Sequence, residues 1–133
     1  MSDGYSAQVL DHFARPRNLG RLPEADGRGA AGDRAAGTVW IEIAIRVAGG
    51  DVADARFRAL GCSAAIASAS MATTLIAGRP VGVAGALTAD EITAALGGLP
   101  AERLYAPALA AEAVRAAVAD YARRGAADGE GAP

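Results

Sequence analysis

The sequence contains very little of the two residue types from which disulfides and most zinc and iron–sulfur sites are built. Among its 133 residues there is one cysteine, Cys62, and one histidine, His12. A single cysteine cannot form an intramolecular disulfide, and unpaired cysteines are typical of proteins from reducing compartments. The first residues also lack the features of a secretory signal peptide. We therefore expect a cytoplasmic protein.

Lysine, strong net charge and long apolar runs are missing as well. The thirteen cations are all arginines scattered along the chain, and the formal net charge is −2. Without a basic stripe, nucleic acid is not the expected partner. No apolar run approaches the ~20 residues that span a bilayer, so no membrane segment is predicted. Aromatic residues make up 5% of a chain that is 52% hydrophobic, so a core this rich in alanine requires close approach of its elements.

Two alternating segments predict a β-hairpin. From Ile41 to Val47, isoleucine and valine alternate with polar or small residues, and a second alternating segment runs from Ala53 to Ala59. Gly49 and Gly50 lie between them and suit a turn. We expect an α+β fold, with a small antiparallel sheet of about three strands and helices packed on one face.

Four helices are predicted around this hairpin. Their limits follow from capping residues before them and from glycine or proline at their ends. The predicted helices run from Ser6 to Ala14, from Ala64 to Ala77, from Thr88 to Gly97 and from Pro107 to Gly125.

Two further segments are predicted to lack regular structure. The stretch from Gly20 to Gly37 is rich in glycine, alanine, aspartate and arginine without an apolar period, and we interpret it as a mobile loop. Residues 126–133 are polar and glycine-rich, which predicts a disordered tail. The chain is thus divided into one domain, residues 1–125, and a tail, residues 126–133.

Cys62 is the strongest candidate for chemistry. It lies where the second alternating segment ends and a predicted helix begins. The free amide groups and the dipole of a helix N-terminus favour a thiolate, which is the form that binds metal and attacks sulfur. An unpaired cysteine among small apolar residues is also typical of buried packing. The residues alone leave both interpretations open.

The other candidate groups are fewer than a metal site or a catalytic pair requires. Metal sites need three or four ligands close together, and Asp33, Asp51 and Asp54 are carboxylates near turns that are ordinarily solvated. We interpret His12 as a surface or packing residue. Nucleophilic catalysis would need a base positioned beside Cys62, and no pattern pairs it with His12. We therefore expect no enzyme.

Three segments carry the pattern of a known family. They are Tyr5–Gly20 with its Arg-Pro-Arg-Asn-Leu-Gly turn, Asp54–Ser70 with Asp-Ala-Arg-Phe and Gly-Cys-Ser-Ala-Ala-Ile-Ala-Ser-Ala-Ser, and Leu109–Tyr121. In this order they resemble the NifU/IscU-type iron–sulfur cluster assembly scaffolds. The resemblance covers most of residues 5–124.

The resemblance implies a cofactor site that has lost most of its ligands. Members of the family hold a nascent [2Fe–2S] cluster, or zinc, with three cysteines and an aspartate or histidine. One cysteine corresponds to Cys62, and the other two correspond to Ala36 and Ala106. The aspartate corresponds to Thr38 or, in an alternative alignment, to Asp33. The ligands that the resemblance leaves to this chain are therefore Cys62 and Asp33.

The missing ligands decide what function the resemblance implies. The family's histidine corresponds to Tyr105, and a phenol is a harder and less acidic donor than a thiol. Because alanine cannot bind iron, we do not expect a [2Fe–2S] cluster in an isolated monomer. The resemblance implies an assembly protein that works in iron–sulfur or sulfur trafficking through Cys62, either by accepting a persulfide or by sharing a cluster between subunits.

Two alternative functions remain open. The fold could serve as a regulatory or partner-binding module without a cluster, for example by docking to a cysteine desulfurase or another iron–sulfur assembly protein. A thiol enzyme such as a sulfurtransferase is the alternative from a different class. The family's chaperone-binding loop reads Leu99-Pro100-Ala101-Glu102-Arg103 here, which lacks the second proline and adds a negative charge, so chaperone docking is not expected.

Overall fold

The computed structural model describes the backbone of residues 4–131 and the side chains of residues 4–125. Its sheet is antiparallel and has three strands in the order β1 (Gly27–Gly32), β2 (Trp40–Ala48) and β3 (Asp51–Leu60). The helices are α1 (Ala7–Ala14), α2 (Ser63–Ile76), α3 (Val81–Ala84), α4 (Ala89–Ala95) and α5 (Tyr105–Gly131), and a 3-10 turn at Ala101–Arg103 precedes α5. The predicted α+β class and the three-stranded sheet are confirmed.

The core lies between one face of the sheet and the two longest helices. Ile41, Ile43 and Ile45 of β2 alternate toward this face and are fully buried, as is Phe57, which pairs with Ile43. Helix α2 packs on β3, and α5 lies across β1 and β2. Thirteen alanines belong to the same buried cluster, and their small side chains allow the helices to approach the sheet closely. The prediction of helices packed on one face is therefore confirmed.

The interpretation of Gly20–Gly37 as a loop is wrong, because this segment contains β1. The strand carries no apolar alternation that could have predicted it. It has glycines in place of apolar side chains because α5 packs directly on its backbone. A Cβ on Gly29 would collide with the backbone of Ala117 and would lie 2.5 Å from the Cβ of Ala116. Glycine here permits close backbone approach of the helix to the strand. The high glycine content that indicated a loop is therefore what allows α5 to pack against β1.

The predicted caps of α1 and α4 are confirmed, whereas the last helix begins two residues before the predicted Pro107 and ends later than predicted. Ser6 caps α1 through the Val9 N–H, and Thr88 and Glu91 form a reciprocal capping box at α4. Helix α5 was predicted to end at Gly125 but continues to Gly131. Gly125 has no positive φ in the structure, and a single glycine weakens a helix without necessarily ending it.

This longer helix changes where the predicted tail would begin. Residues 126–131 have helical backbone, so the tail predicted for residues 126–133 starts inside α5. Residues 132 and 133 lie outside the described residues, and disorder of the tail stays a prediction. Within residues 4–131, none of the helices is long and apolar enough to cross a membrane.

Candidate functional site

Cys62 is the residue that ends the sheet and begins helix α2. Strand β3 stops at Leu60, and Gly61 then takes a φ of +138°, a conformation that L side chains rarely adopt. Cys62 follows with extended backbone as the N-cap of the 14-residue helix. The sulfur is half-buried and unpaired. Its position beside the free amides of a helix N-terminus is the one predicted from the sequence.

The closest polar partner of Cys62 is Tyr105, the first residue of α5. The Cys62 Sγ lies 2.8 Å from the Tyr105 hydroxyl oxygen. The 3-10 turn at Ala101–Arg103 leads into Tyr105, and α5 then packs against α2. This contact therefore joins the starts of the two helices that cover the sheet.

The surroundings of the Cys62 sulfur favour its thiolate. Partial burial by itself raises the pKa of the Cys62 thiol, because a charge is desolvated there. The hydrogen bond with Tyr105, the backbone amides of Ala65 and Ala64, and the charge of Arg103 outweigh this effect and lower the pKa below its ordinary value. The amides act on the sulfur although the Cys62 side chain closes no capping hydrogen bond.

The contact with Cys62 changes the pKa of Tyr105 in the opposite direction. The hydrogen bond with Cys62, followed by burial and the nearby thiolate charge, raises the pKa of Tyr105 above its ordinary value. A phenol that stays protonated donates its hydrogen to the sulfur, and hydrogen bonds to a charged acceptor are the stronger kind. Tyr105 is thus a donor that stabilises the thiolate and not a second anion.

A cleft of about 340 Å³ opens beside this pair. It is lined by Tyr5, Cys62, Ser63, Pro100, Glu102 and Arg103. The Arg103 Nε donates to the Tyr5 hydroxyl oxygen at 3.2 Å. The cleft therefore brings a half-buried thiol, a cation and a helix N-terminus together at one surface, and a small ligand or a partner's side chain could enter it.

Asp33, the second predicted metal ligand, is engaged in a turn of its own. It follows β1 in the loop that leads to β2, and it is exposed. Its Oδ1 accepts the Ala36 N–H at 3.1 Å, and its carbonyl oxygen accepts the Thr38 hydroxyl at 3.1 Å. The structure shows no contact between Asp33 and Cys62. Its role as a metal ligand stays a prediction.

The residues present do not fit a [2Fe–2S] cluster or zinc held within one chain. Ala36 is exposed in the turn, whereas Ala106 is fully buried in the core at the start of α5. Neither side chain can donate to a metal. Among the described residues, no group of three or more histidines, cysteines and carboxylates is close enough to hold a metal ion. Both groups require about four ligands, and the thiolate of Cys62 supplies one.

His12 takes no part in the Cys62 site. The residue is only 7% exposed, and its Nδ1 lies 2.7 Å from the Ser70 Oγ on α2. That oxygen also accepts the Arg17 N–H at 2.9 Å, which leaves the Ser70 hydroxyl hydrogen for an unprotonated Nδ1. Burial, aided by the Arg17 charge and opposed by Asp11, lowers the pKa of His12. The interpretation of His12 as a packing residue agrees with this geometry.

Sequence reasoning missed two residues that line the cleft, Tyr5 and Arg103, and undervalued Tyr105, which contacts Cys62. Tyr5 was used only as a family marker, and Arg103 only as part of an altered loop. Tyr105 was considered as a poor metal ligand and not as a hydrogen-bond donor. Its place at the family's histidine position, close to a ligand cysteine, was the available indication. No spacing in the sequence relates Tyr5 to Arg103, which are 98 residues apart.

Comparison with known proteins points in one direction. A family model described as the NifU-like N-terminal domain matches residues 4–128. The iron–sulfur cluster assembly scaffold protein IscU 1 of Archaeoglobus fulgidus is 42% identical over 120 residues, which cover 90% of this chain and 78% of the relative. The scaffold protein IscU of Haemophilus influenzae is 39% identical over 121 residues, covering 88% and 94% respectively.

Solved structures agree with these sequence relatives at the level of the fold. The N-terminal part of a nitrogen-fixing NifU-like protein from Brucella abortus superposes with a TM-score of 0.60 at 19% identity. The superposition covers 92% of this chain and 94% of that one. At this identity the likeness concerns the arrangement of helices and strands.

Proposed function

The chain belongs to the NifU-like N-terminal domain family, and from that premise we propose that it carries sulfur on Cys62 during iron–sulfur cluster assembly instead of holding a cluster within one subunit. Membership makes it a scaffold-family protein of iron–sulfur cluster assembly. The observation that supports the finer proposal is the 2.8 Å contact between Cys62 and Tyr105 at the start of α2. It stabilises a thiolate where only one sulfur ligand is present.

The proposed reaction is the transfer of one sulfur atom from a persulfide donor to Cys62. The thiolate attacks the terminal sulfur of a protonated donor persulfide, and a bond forms between the Cys62 Sγ and that sulfur. The sulfur–sulfur bond of the donor breaks, and its electron pair leaves with the donor thiolate. The proton stays on the transferred sulfur, so no oxidant or reductant is consumed. Tyr105 holds the attacking sulfur as an anion before the step.

A partner can reach Cys62 from an apolar surface. Leu60 and Leu104 are both 44% exposed, and Tyr105 is 37% exposed. Leu60 precedes Cys62 by two residues, and Leu104 adjoins the tyrosine that contacts the sulfur. We expect a cysteine desulfurase, whose catalytic cysteine carries a persulfide, to dock over these residues. The same surface would serve a module that binds the desulfurase and regulates it without accepting sulfur.

The proposal treats the chain as a carrier and not as an enzyme. The only histidine contacts Ser70, so the proposal assigns no catalytic base to Cys62. Cytoplasmic location remains part of the proposal.

Intact-mass measurement of the protein after incubation with a persulfide donor tests the proposal. The wild type should gain the mass of one sulfur atom, and a reductant should remove it. Cys62→Ser should gain nothing. If the wild type gains no sulfur from a small persulfide or from a loaded cysteine desulfurase, the protein does not carry sulfur on Cys62. The regulatory module that docks to the desulfurase would then be the remaining function.

Anaerobic reconstitution with iron and sulfide tests the other half of the proposal. We expect no stoichiometric iron in the isolated monomer. About two irons per monomer, bound without added thiol and lost in Cys62→Ser, would show that one chain holds a cluster after all.

A further inference from the structure

The cleft beside Cys62 contains two charged side chains of opposite sign. Arg103 and Glu102 both line it, next to each other in the 3-10 turn. Glu102 is exposed to solvent, whereas Arg103 is half-buried. The charge of Arg103 helps to lower the pKa of Cys62, after the hydrogen bonds from Tyr105 and the backbone amides of Ala65 and Ala64. Arg103 is therefore the cation that acts on the sulfur from the cleft.

Arg103 is held in place from the other end of the chain. Its Nε donates to the Tyr5 hydroxyl oxygen, and this contact is partly buried. An arginine fixed by a second hydrogen-bonding group loses less side-chain entropy when it meets an anion than a free one does. The N-terminal amides of α2 add partial positive charge to the same opening. The cleft is thus prepared for an anion next to the reacting sulfur.

We propose that Arg103, positioned by Tyr5, makes Cys62 select anionic sulfur donors. This inference rests on the proposed sulfur-carrier function and names the class of donor: a small persulfide whose carrier bears a carboxylate, or a protein persulfide flanked by acidic side chains. Arg103 is the residue that recognises the charge, and Tyr5 acts through Arg103 as a positioning residue. The terminal sulfur of the product persulfide, once it ionises, lies against the same cation.

Alkylation of Cys62 with two reagents of different charge tests the inference without any sulfur donor. Iodoacetate is an anion and iodoacetamide is neutral, while both react with the same thiolate. The fraction of thiolate enters both rates equally, so the ratio of the two second-order rate constants reports charge recognition alone. At low salt, Arg103→Gln should lower the iodoacetate-to-iodoacetamide ratio about threefold, the scale expected for one screened charge at a partly exposed site.

Matched variants separate the charge from its surroundings. Arg103→Lys should keep most of the ratio, and Glu102→Gln should raise it. Arg115→Gln removes an exposed arginine of α5 that does not line the cleft, so it should leave the ratio unchanged. The effect of Arg103→Gln should shrink in 1 M salt, where the Debye length is about 3 Å. An unchanged ratio in Arg103→Gln, or an equal fall in Arg115→Gln, overturns the inference.

Tyr5→Phe tests the positioning role. Loss of the hydroxyl should lower the ratio by less than Arg103→Gln does, and it should add nothing in the Arg103→Gln background. A ratio that stays at the wild-type value in Tyr5→Phe overturns the role of Tyr5.

Sulfur transfer from glutathione persulfide and from cysteamine persulfide extends the test to real donors. The anionic donor should be preferred by the wild type, and Arg103→Gln should reduce that preference about threefold, as for the alkylating reagents. Failure of both donors to load Cys62 refutes the proposed function, while the alkylation ratio still decides the role of Arg103. Transfer from both donors with equal preference in wild type and Arg103→Gln refutes the inference alone.

Discussion

Helix α2 adjoins both the only cysteine and the only histidine of the chain, and the two contacts have opposite character. At its start, Cys62 meets Tyr105 at the edge of an open cleft. On its side, eight residues further along, Ser70 meets His12 in a buried seam with α1. Both contacts are short and polar. Only the first leaves room for another molecule.

The difference shows that a short polar contact acquires its role from what surrounds it. In the seam, Ser70 is fully buried and also accepts the Arg17 N–H, so its polar atoms are satisfied within the fold. At the cleft, the thiol of Cys62 is half-exposed and shares a hydrogen bond with the Tyr105 hydroxyl. A satisfied buried network stabilises the structure, whereas an exposed and stabilised thiolate is reactive.

The largest effect is expected from displacing α5, the helix that carries Tyr105. Gly29→Ala places a Cβ against the backbone of Ala117, which should lower the free energy of unfolding by about 2–3 kcal/mol. Chemical denaturation measures the loss. Because α5 must move off β1, the alkylation of Cys62 should also slow, while the His12 seam is left in place.

Gly82→Ala is the matched control for that variant. A Cβ at Gly82 would meet nothing within 4 Å, so stability should change by less than about 0.5 kcal/mol. Equal stability of the two alanine variants would mean that α5 is not held against β1 by close backbone approach.

A smaller loss is expected when the two polar contacts of α2 are removed in turn. His12→Ala empties a buried site and removes the hydrogen bond to Ser70, which should cost about 2 kcal/mol of unfolding free energy. Cys62→Ser should cost less than about 0.5 kcal/mol while abolishing alkylation. The reverse order, with Cys62→Ser the more destabilising, would identify the cysteine as the packing residue.

Tyr105→Phe isolates the hydrogen bond at the cleft. The phenylalanine ring keeps the apolar contact but cannot donate to the thiolate, so the pKa of Cys62 should rise. At pH 7 the rate of Cys62 alkylation should fall roughly fivefold, as expected for losing one partly exposed hydrogen bond to a charged group. Iodoacetamide kinetics provides the measurement, and Tyr121→Phe, a change far along α5, serves as the control. An unchanged rate would show that Tyr105 does not stabilise the thiolate of Cys62.

The smallest effect is the pH dependence contributed by His12. Its pKa is lowered in the folded state chiefly by burial, so the unfolded chain binds more protons as the pH falls through the ordinary histidine value. Stability from this group is complete above about pH 6.5 and is lost below it. The lowered pKa values of Asp11 and Asp120 affect stability only near and below about pH 4.

Chemical denaturation between pH 7 and pH 5 therefore measures the contribution of His12 to the pH dependence of stability. The free energy of unfolding should decline over this range in the wild type and much less in His12→Asn. Parallel curves for the two proteins would contradict a buried neutral imidazole.

The sequence was sufficient for the parts of the fold that carry periodic or capping information. The alternation in β2 and β3 and the capping box of Thr88 and Glu91 are local features, and each is confirmed. Strand β1 could not be found in this way. Its glycines are required by close contact with α5, a helix that begins more than seventy residues later. The continuation of α5 past Gly125 was missed since glycine was read as a stop.

The sequence predicted where the site lies in the chain, but it did not predict which side chains meet there. Cys62 at a strand-to-helix junction follows from the sequence, and so does its departure from the family's ligand set. The donor role of Tyr105 depends on how α5 packs against α2, and the contact of Arg103 with Tyr5 joins two distant segments. Such contacts are set by tertiary packing, for which a single sequence carries no direct indication.

The rate of Cys62 alkylation as a function of pH tests the central claim most directly. We predict a single titration with a midpoint below about 8.5, the value of an ordinary cysteine, because Tyr105, the α2 amides and Arg103 together stabilise the thiolate. A midpoint at or above that value would return Cys62 to the role of a packing residue and contradict the account.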